Sequence, residues 1–145
     1  MKSKLLHEMG GQKTFVLIFE TGEEVMSNLK AFAKSNRLAA SHFTAIGAFR
    51  DAMLGYYDWE RKEYTKNPVR EQVEAVSLIG DIVDDEKGEP QVHAHVVLGK
   101  SDGVALGGHL LDAHVRPTLE VVLIESPVHL RRRFDSRSGL ALINF

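Results

Sequence analysis

One long segment of the chain carries the 3.6-residue periodicity of a helix, which leaves strands, turns and at most a short second helix to account for the rest. Val25, Met26, Leu29, Phe32 and Ala33 fall on one face, with Glu23, Lys30 and Lys34 opposite. Thr21, followed three residues later by Glu24, matches a capping box. The spacing therefore predicts a helix over about 22–36, ending near Asn36 and Arg37. Just before it, Phe15 to Phe19 are five apolar residues in a row, the pattern of a buried strand.

After the helix the apolar runs are short and punctuated by turn residues. "SHFTAIGAFRDAMLGYYDWERKEYTKNPV" holds two β-rich runs around a charged tip at "DWERKEY". "QVEAVSLIGDIVDDEKGEPQVHAHVVLG" reads as a second hairpin whose acidic loop holds Gly88 and Pro90. "VRPTLEVVLIES" is a later strand, with Pro117 suggesting an edge position or a strand start, and "GLALINF" is a last one. The expected fold is α+β: a mainly antiparallel sheet of six to eight strands with the one main helix packed on it.

The 145 residues suit a single domain spanning 1–145, large enough to bury one substantial core. A formal net charge of −2 argues against a broad basic contact with nucleic acid. With no cysteine, disulfides and thiolate chemistry are excluded, and any metal must be held by nitrogen and oxygen. No apolar run reaches membrane-span length and the first residues lack a signal-peptide core, so a cytoplasmic protein without membrane contact is expected.

The chemistry concentrates in "QVHAHVVLGKSDGVALGGHLL", residues 91–111, which holds His93, His95 and His109. Residues i and i+2 of a strand point to the same face, so His93 and His95 project side by side. If the turn centres near Asp102, His95 lies opposite His109 and the three imidazoles converge, with Gly107 and Gly108 leaving space beside them. Three neutral histidines with an open fourth position are a recognised zinc arrangement, and another divalent transition metal would suit the same donors. Packing or surface histidines remain the alternative. His114, five residues past His109, faces the other way.

Two further groups stand out. Glu120 sits in an apolar strand between Leu119 and Val121, where a charge is costly unless paired or metal-bound. It is the carboxylate candidate for a fourth ligand or a catalytic acid/base, against an edge residue facing solvent or a subunit partner. Arg131, Arg132 and Arg133 form the one basic run, a candidate nucleic-acid contact or else a solvated turn or ion-pair cluster.

The run "HAHVVLGKSDGVALGGHLLDAHVRPTLEVVL" resembles the signature of the plants-and-prokaryotes-conserved (PPC) domain family, and "AIGAFRDAMLGYYDWERKEY" and "EAVSLIGDI" resemble its neighbouring segments. The resemblance implies a compact α+β fold assembled as a homotrimer and a DNA-associated or regulatory role. Plant members add a basic AT-hook, and no such segment occurs here. The three-histidine pattern is more loosely similar to the zinc site of acetolactate decarboxylase. That likeness implies an alternative: a zinc-dependent lyase or decarboxylase-like enzyme binding a small oxo- or hydroxy-acid at the metal.

Overall fold

The computed structural model describes all residues from Met1 to Phe145. Its elements run β1 (Lys2–Met9), β2 (Gln12–Glu20), α1 (Val25–Asn36), β3 (Ala40–Asp58), β4 (Glu63–Val69), β5 (Val73–Asp84), β6 (Pro90–Gly99), β7 (Ala105–Glu125), β8 (Arg131–Asp135) and β9 (Leu140–Asn144).

Helix α1 forms where the periodicity places it, but its cap differs from the expected one. Glu24 is the N-cap, and its carboxylate accepts from the N–H groups of Met26 (2.9 Å) and Ser27 (2.6 Å). Thr21 lies outside the helix, where its hydroxyl donates to the Pro117 carbonyl at 3.0 Å. The helix therefore starts at Val25, and Arg37 in the left-handed region (φ 55°) ends it. Val25, Leu29 and Ala33 are fully buried, and the Phe32 ring meets Phe15 edge-on at 5.2 Å. Burying each such large apolar side chain contributes about 1.5–3 kcal/mol, which holds the helix to the sheet.

Strand β2 explains the Phe15–Phe19 run. Phe15, Leu17 and Phe19 enter the core, while Val16 and Ile18 are only half-buried. Its neighbours are β1 on one side and the 21-residue β7 on the other. β7 also pairs with β3 and β6, and β5 lies between β3 and β6. The antiparallel pairings β3–β5–β6–β7–β3 thus close into a ring, which leaves none of these four with a free edge along its whole length.

The sheet has nine strands, more than the expected six to eight, and it is mixed because β8 meets β5 in parallel at Asp84 and Arg131. The surplus lies at the two ends. All eight residues of β1 are exposed, so its sequence shows no core-facing alternation, and the short β8–β9 hairpin covers little core. Pro117 sits inside β7 and not at its start. It falls where the β3 partner jumps from Gly47 (opposite Leu119) to Phe49 (opposite Val115), a gap in which no ladder N–H is needed. No helix is long and apolar enough to cross a membrane.

Candidate metal centre

The β6–β7 hairpin turns about Asp102, whose carboxylate accepts from the Val104 N–H at 3.0 Å, and Gly103 takes φ +83°. That turn sets the register: His95 pairs with His109, Val96 with Gly108 and Val97 with Gly107. Ala94 and Val96 face the core, which turns His93 and His95 outward on the other face. The backbone is tight here. A Cβ on Gly108 would stand 3.0 Å from the Gly55 carbonyl, and one on Gly80 would stand 2.4 Å from the His93 carbonyl and 2.5 Å from the Phe43 ring.

One ligand nitrogen from each of His93, His95 and His109 lies within 4.8 Å of the others. The Nε2 atoms of His93 and His95 are 3.2 Å apart. Tetrahedral coordination at zinc–nitrogen bonds of about 2.0–2.1 Å places neighbouring ligand atoms about 3.3 Å apart. The His93 and His109 rings stack at 5.1 Å, and the Tyr64 ring lies 4.8 Å from that of His109. His109 Nδ1 is buried with no hydrogen-bond partner in the chain.

The electrostatics favour neutral imidazoles. Burial, reinforced by His93, His95 and Arg132, pushes His109 down to about 4. Burial and then His93 also lower His95. Ligating histidines must be deprotonated at the bonding nitrogen, so these shifts suit a cation and oppose retained protons. Behind His93 stands Asp81, whose Oδ2 is 3.6 Å from His93 Nδ1. Burial works against ionisation of Asp81, but His93 and Arg132 outweigh it and hold the carboxyl below its usual range. The donor set, the spacing and the orphaned buried nitrogen fit a divalent transition metal.

Two hollows flank the histidines. One, about 360 Å³, is lined by His42, Phe43, Thr44, Asp81, His93 and His95 among others. The second, about 340 Å³, lies under the β8–β9 hairpin and is lined by Tyr64, Gln91, His93, His109, Arg132 and Leu142 among others.

The remaining sequence candidates are scattered. Glu120 pairs across β7 with Ile18 and Ile46 and is exposed, eleven positions along the strand from His109 and outside the histidine cluster. Arg131 and Arg133 are exposed, whereas Arg132 is buried, because successive residues of β8 face opposite ways. His114 lies apart, with Nδ1 2.7 Å from Asp51 Oδ1. Sequence reasoning missed Asp81, His42 and Tyr64. The signal for Asp81 was present: a β5–β6 turn centred at residue 87 pairs Asp81 with His93. His42 follows from the next ladder, where it pairs with Asp81.

Among curated proteins nothing matches the chain. Among solved structures, a metal-containing protein of Archaeoglobus fulgidus is 38% identical, covering 100% of both chains with a TM-score of 0.85. A candidate DNA-binding protein of Ralstonia eutropha JMP134 is 27% identical over 90% of each chain, with a TM-score of 0.84. A Staphylococcus aureus protein of unknown function, itself similar to α-acetolactate decarboxylase, shares the fold alone: 18% identity over 76% of this chain and 50% of its own, TM-score 0.51. The model of the Plants and Prokaryotes Conserved (PCC) domain matches residues 6–127. With the β6–β7 signature hairpin inside that match, the chain belongs to the Plants and Prokaryotes Conserved domain family.

Proposed function

We propose that this protein is a divalent-metal-binding member of its family, holding zinc or a similar transition metal on His93, His95 and His109. The observation that carries the reading is the convergence of three imidazole nitrogens within 4.8 Å, two of them 3.2 Å apart. The metal-containing relative from Archaeoglobus fulgidus supports it. A divalent ion bound there supplies Lewis acidity toward an oxygen-donor ligand. The chain's own residues do the rest. His93, His95 and His109 present lone pairs, Tyr64 packs against His109, and the β8–β9 hairpin lines the hollow beside His93 and His109.

A role in DNA association is the finer part of the proposal, and it rests on the Ralstonia relative and on the exposed guanidinium groups of Arg131 and Arg133. A second reading, catalysis on a small oxo- or hydroxy-acid, is favoured by the hollow of about 340 Å³ bordering His93 and His109. For either reading we propose a homotrimer. Its support is an apolar outer face where Ile46 (62% exposed), Val76 (58%), Ile79 (54%) and Val122 (44%) stand together on β3, β5 and β7.

Elemental analysis of protein purified without added metal tests the central claim. About one equivalent of transition metal per chain is expected, falling several-fold in His95→Ala and His109→Ala. Metal-free wild-type protein that takes up no zinc on titration would overturn it.

A further inference from the structure

We propose that Arg132 and Asp81 form a positioning pair for His93: Arg132 holds Asp81, and Asp81 fixes the Nδ1 side of the ring so that Nε2 faces His95. The inference rests on the metal reading above.

Arg132 belongs to a run of three arginines, and the strand period alone accounts for its pointing inward. It does not account for an arginine at that position. Burying a guanidinium is costly, and an apolar side chain would seat the β8–β9 hairpin at lower cost. The Arg132 side chain is only 9% exposed, and its partners are specific. One terminal nitrogen donates to Asp81 Oδ1 at 2.5 Å, and the other donates to the Ala141 carbonyl at 3.0 Å. Asp81 is thereby gripped by one oxygen, leaving Oδ2 toward His93 Nδ1.

That second separation, 3.6 Å, is an ion-pair distance and not a formed hydrogen bond. The opposite nitrogen of the same ring, Nε2, already stands 3.2 Å from His95 Nε2. His93 thus has a carboxylate behind one nitrogen and the ligand cluster before the other. The arrangement is selective for His93. The β5 residue paired with His95 is Ile79, and of the three candidate ligands only His93 has a carboxylate within ion-pair distance, His114 being the other histidine so placed. A carboxylate on the far nitrogen of a ligating imidazole fixes its tautomer and raises its basicity.

Competition for Zn2+ against a chromogenic chelator tests this. Asp81→Asn and Arg132→Met are expected to weaken zinc binding about 10–100-fold, and Arg132→Lys to recover part of the loss. In a His93→Ala background, Asp81→Asn should change the affinity by no more than about twofold, because its target is gone. Single variants that bind as tightly as a zinc-binding wild type would overturn the positioning role alone. An equal loss with and without His93 would overturn it too, by showing general damage. Wild-type protein without zinc affinity would overturn this inference together with the metal reading. If Arg132→Met does not fold, the nearly isosteric Asp81→Asn decides. If His93→Ala binds too weakly to measure, the visible spectrum of Co2+-loaded Asp81→Asn decides: a changed spectrum supports the role, and one identical to wild type overturns it.

Discussion

His95 lies directly across the β6–β7 ladder from His109, so two of the three candidate ligands are fixed by one backbone register. A one-residue slip in that hairpin would send His95 to the core face. The Asp102–Gly103 turn therefore does as much to place the imidazoles as the imidazoles' own surroundings do.

Zinc should stabilise the folded chain through this site. At a free concentration of one hundred times the dissociation constant, the gain is about 2.7 kcal/mol. Thermal unfolding followed with and without zinc should show the midpoint rise, and His95→Ala should abolish the rise while leaving the metal-free midpoint nearly unchanged.

Gly80→Ala should destabilise the protein. The new methyl meets the His93 carbonyl at 2.4 Å and the Phe43 ring at 2.5 Å, and neither a ladder carbonyl nor a core ring can retreat freely. Overpacking of this kind costs about 1–3 kcal/mol, which urea denaturation would read as a lower midpoint.

Stability should fall in acid partly through Glu24. Burial opposes ionisation of its carboxyl, but the N–H groups of Ser27, Met26 and Ala113 and the Ser27 side chain outweigh burial and hold its pKa below the ordinary value. A group depressed in the folded state stabilises above its unfolded pKa and loses that contribution as pH falls through its folded value. The advantage of wild type over Glu24→Ala, about 0.5–2 kcal/mol at neutral pH, should therefore shrink below about pH 4. Paired denaturation curves from neutral pH down to pH 3 would check it.

The three arginines should separate cleanly. Changing Arg131 and Arg133 to alanine should leave stability within about 0.5 kcal/mol, while Arg132→Ala should cost roughly 1.5–3 kcal/mol through its charged hydrogen bonds. DNA affinity measured across salt concentrations should lose about one unit of log–log slope for each of Arg131 and Arg133 removed, if each meets a phosphate. Equal affinity in the double variant at low salt would sink the DNA proposal for this hairpin.

Placing a charge on the apolar outer face should dissociate the proposed trimer. Val76→Lys or Ile79→Lys, measured by sedimentation equilibrium, should shift the mass from three chains to one. Wild-type protein that sediments as a monomer would refute the trimer.

Much of this was legible from local pattern. The helix face, the three hairpins and the meeting of His95 with His109 follow from periodicity and from turns centred on polar and glycine residues. What stayed hidden depends on long-range pairing. Glu24 displaced Thr21 as the cap because residues 113–117 of β7 lie beside the helix start: Thr21 goes to the Pro117 carbonyl, and Ala113 reaches toward Glu24. Glu120 drew notice because it interrupts an apolar strand; it stands exposed between Ile18 and Ile46, on the outer face with Val76 and Val122 and away from the histidine cluster. The ion-pair alternative for "RRR" holds for Arg132, but no pattern in the run shows which of the three turns inward or that Asp81 is its partner. β1 could not be read, since an exposed edge strand has no buried alternation to display.

The closed ring of pairings has a temporal consequence. On a chain made from its N-terminus, β3, β5 and β6 emerge first, carrying His93 and His95 with an open gap beside them. His109 arrives only with the start of β7, and the brace at residue 132 comes later still. A nascent chain that stops short of β7 therefore offers a two-imidazole half-site, and the third imidazole joins it when the β6–β7 hairpin pairs. The proposed metal site would thus be assembled by a local hairpin, ahead of the arginine that braces His93 through Asp81.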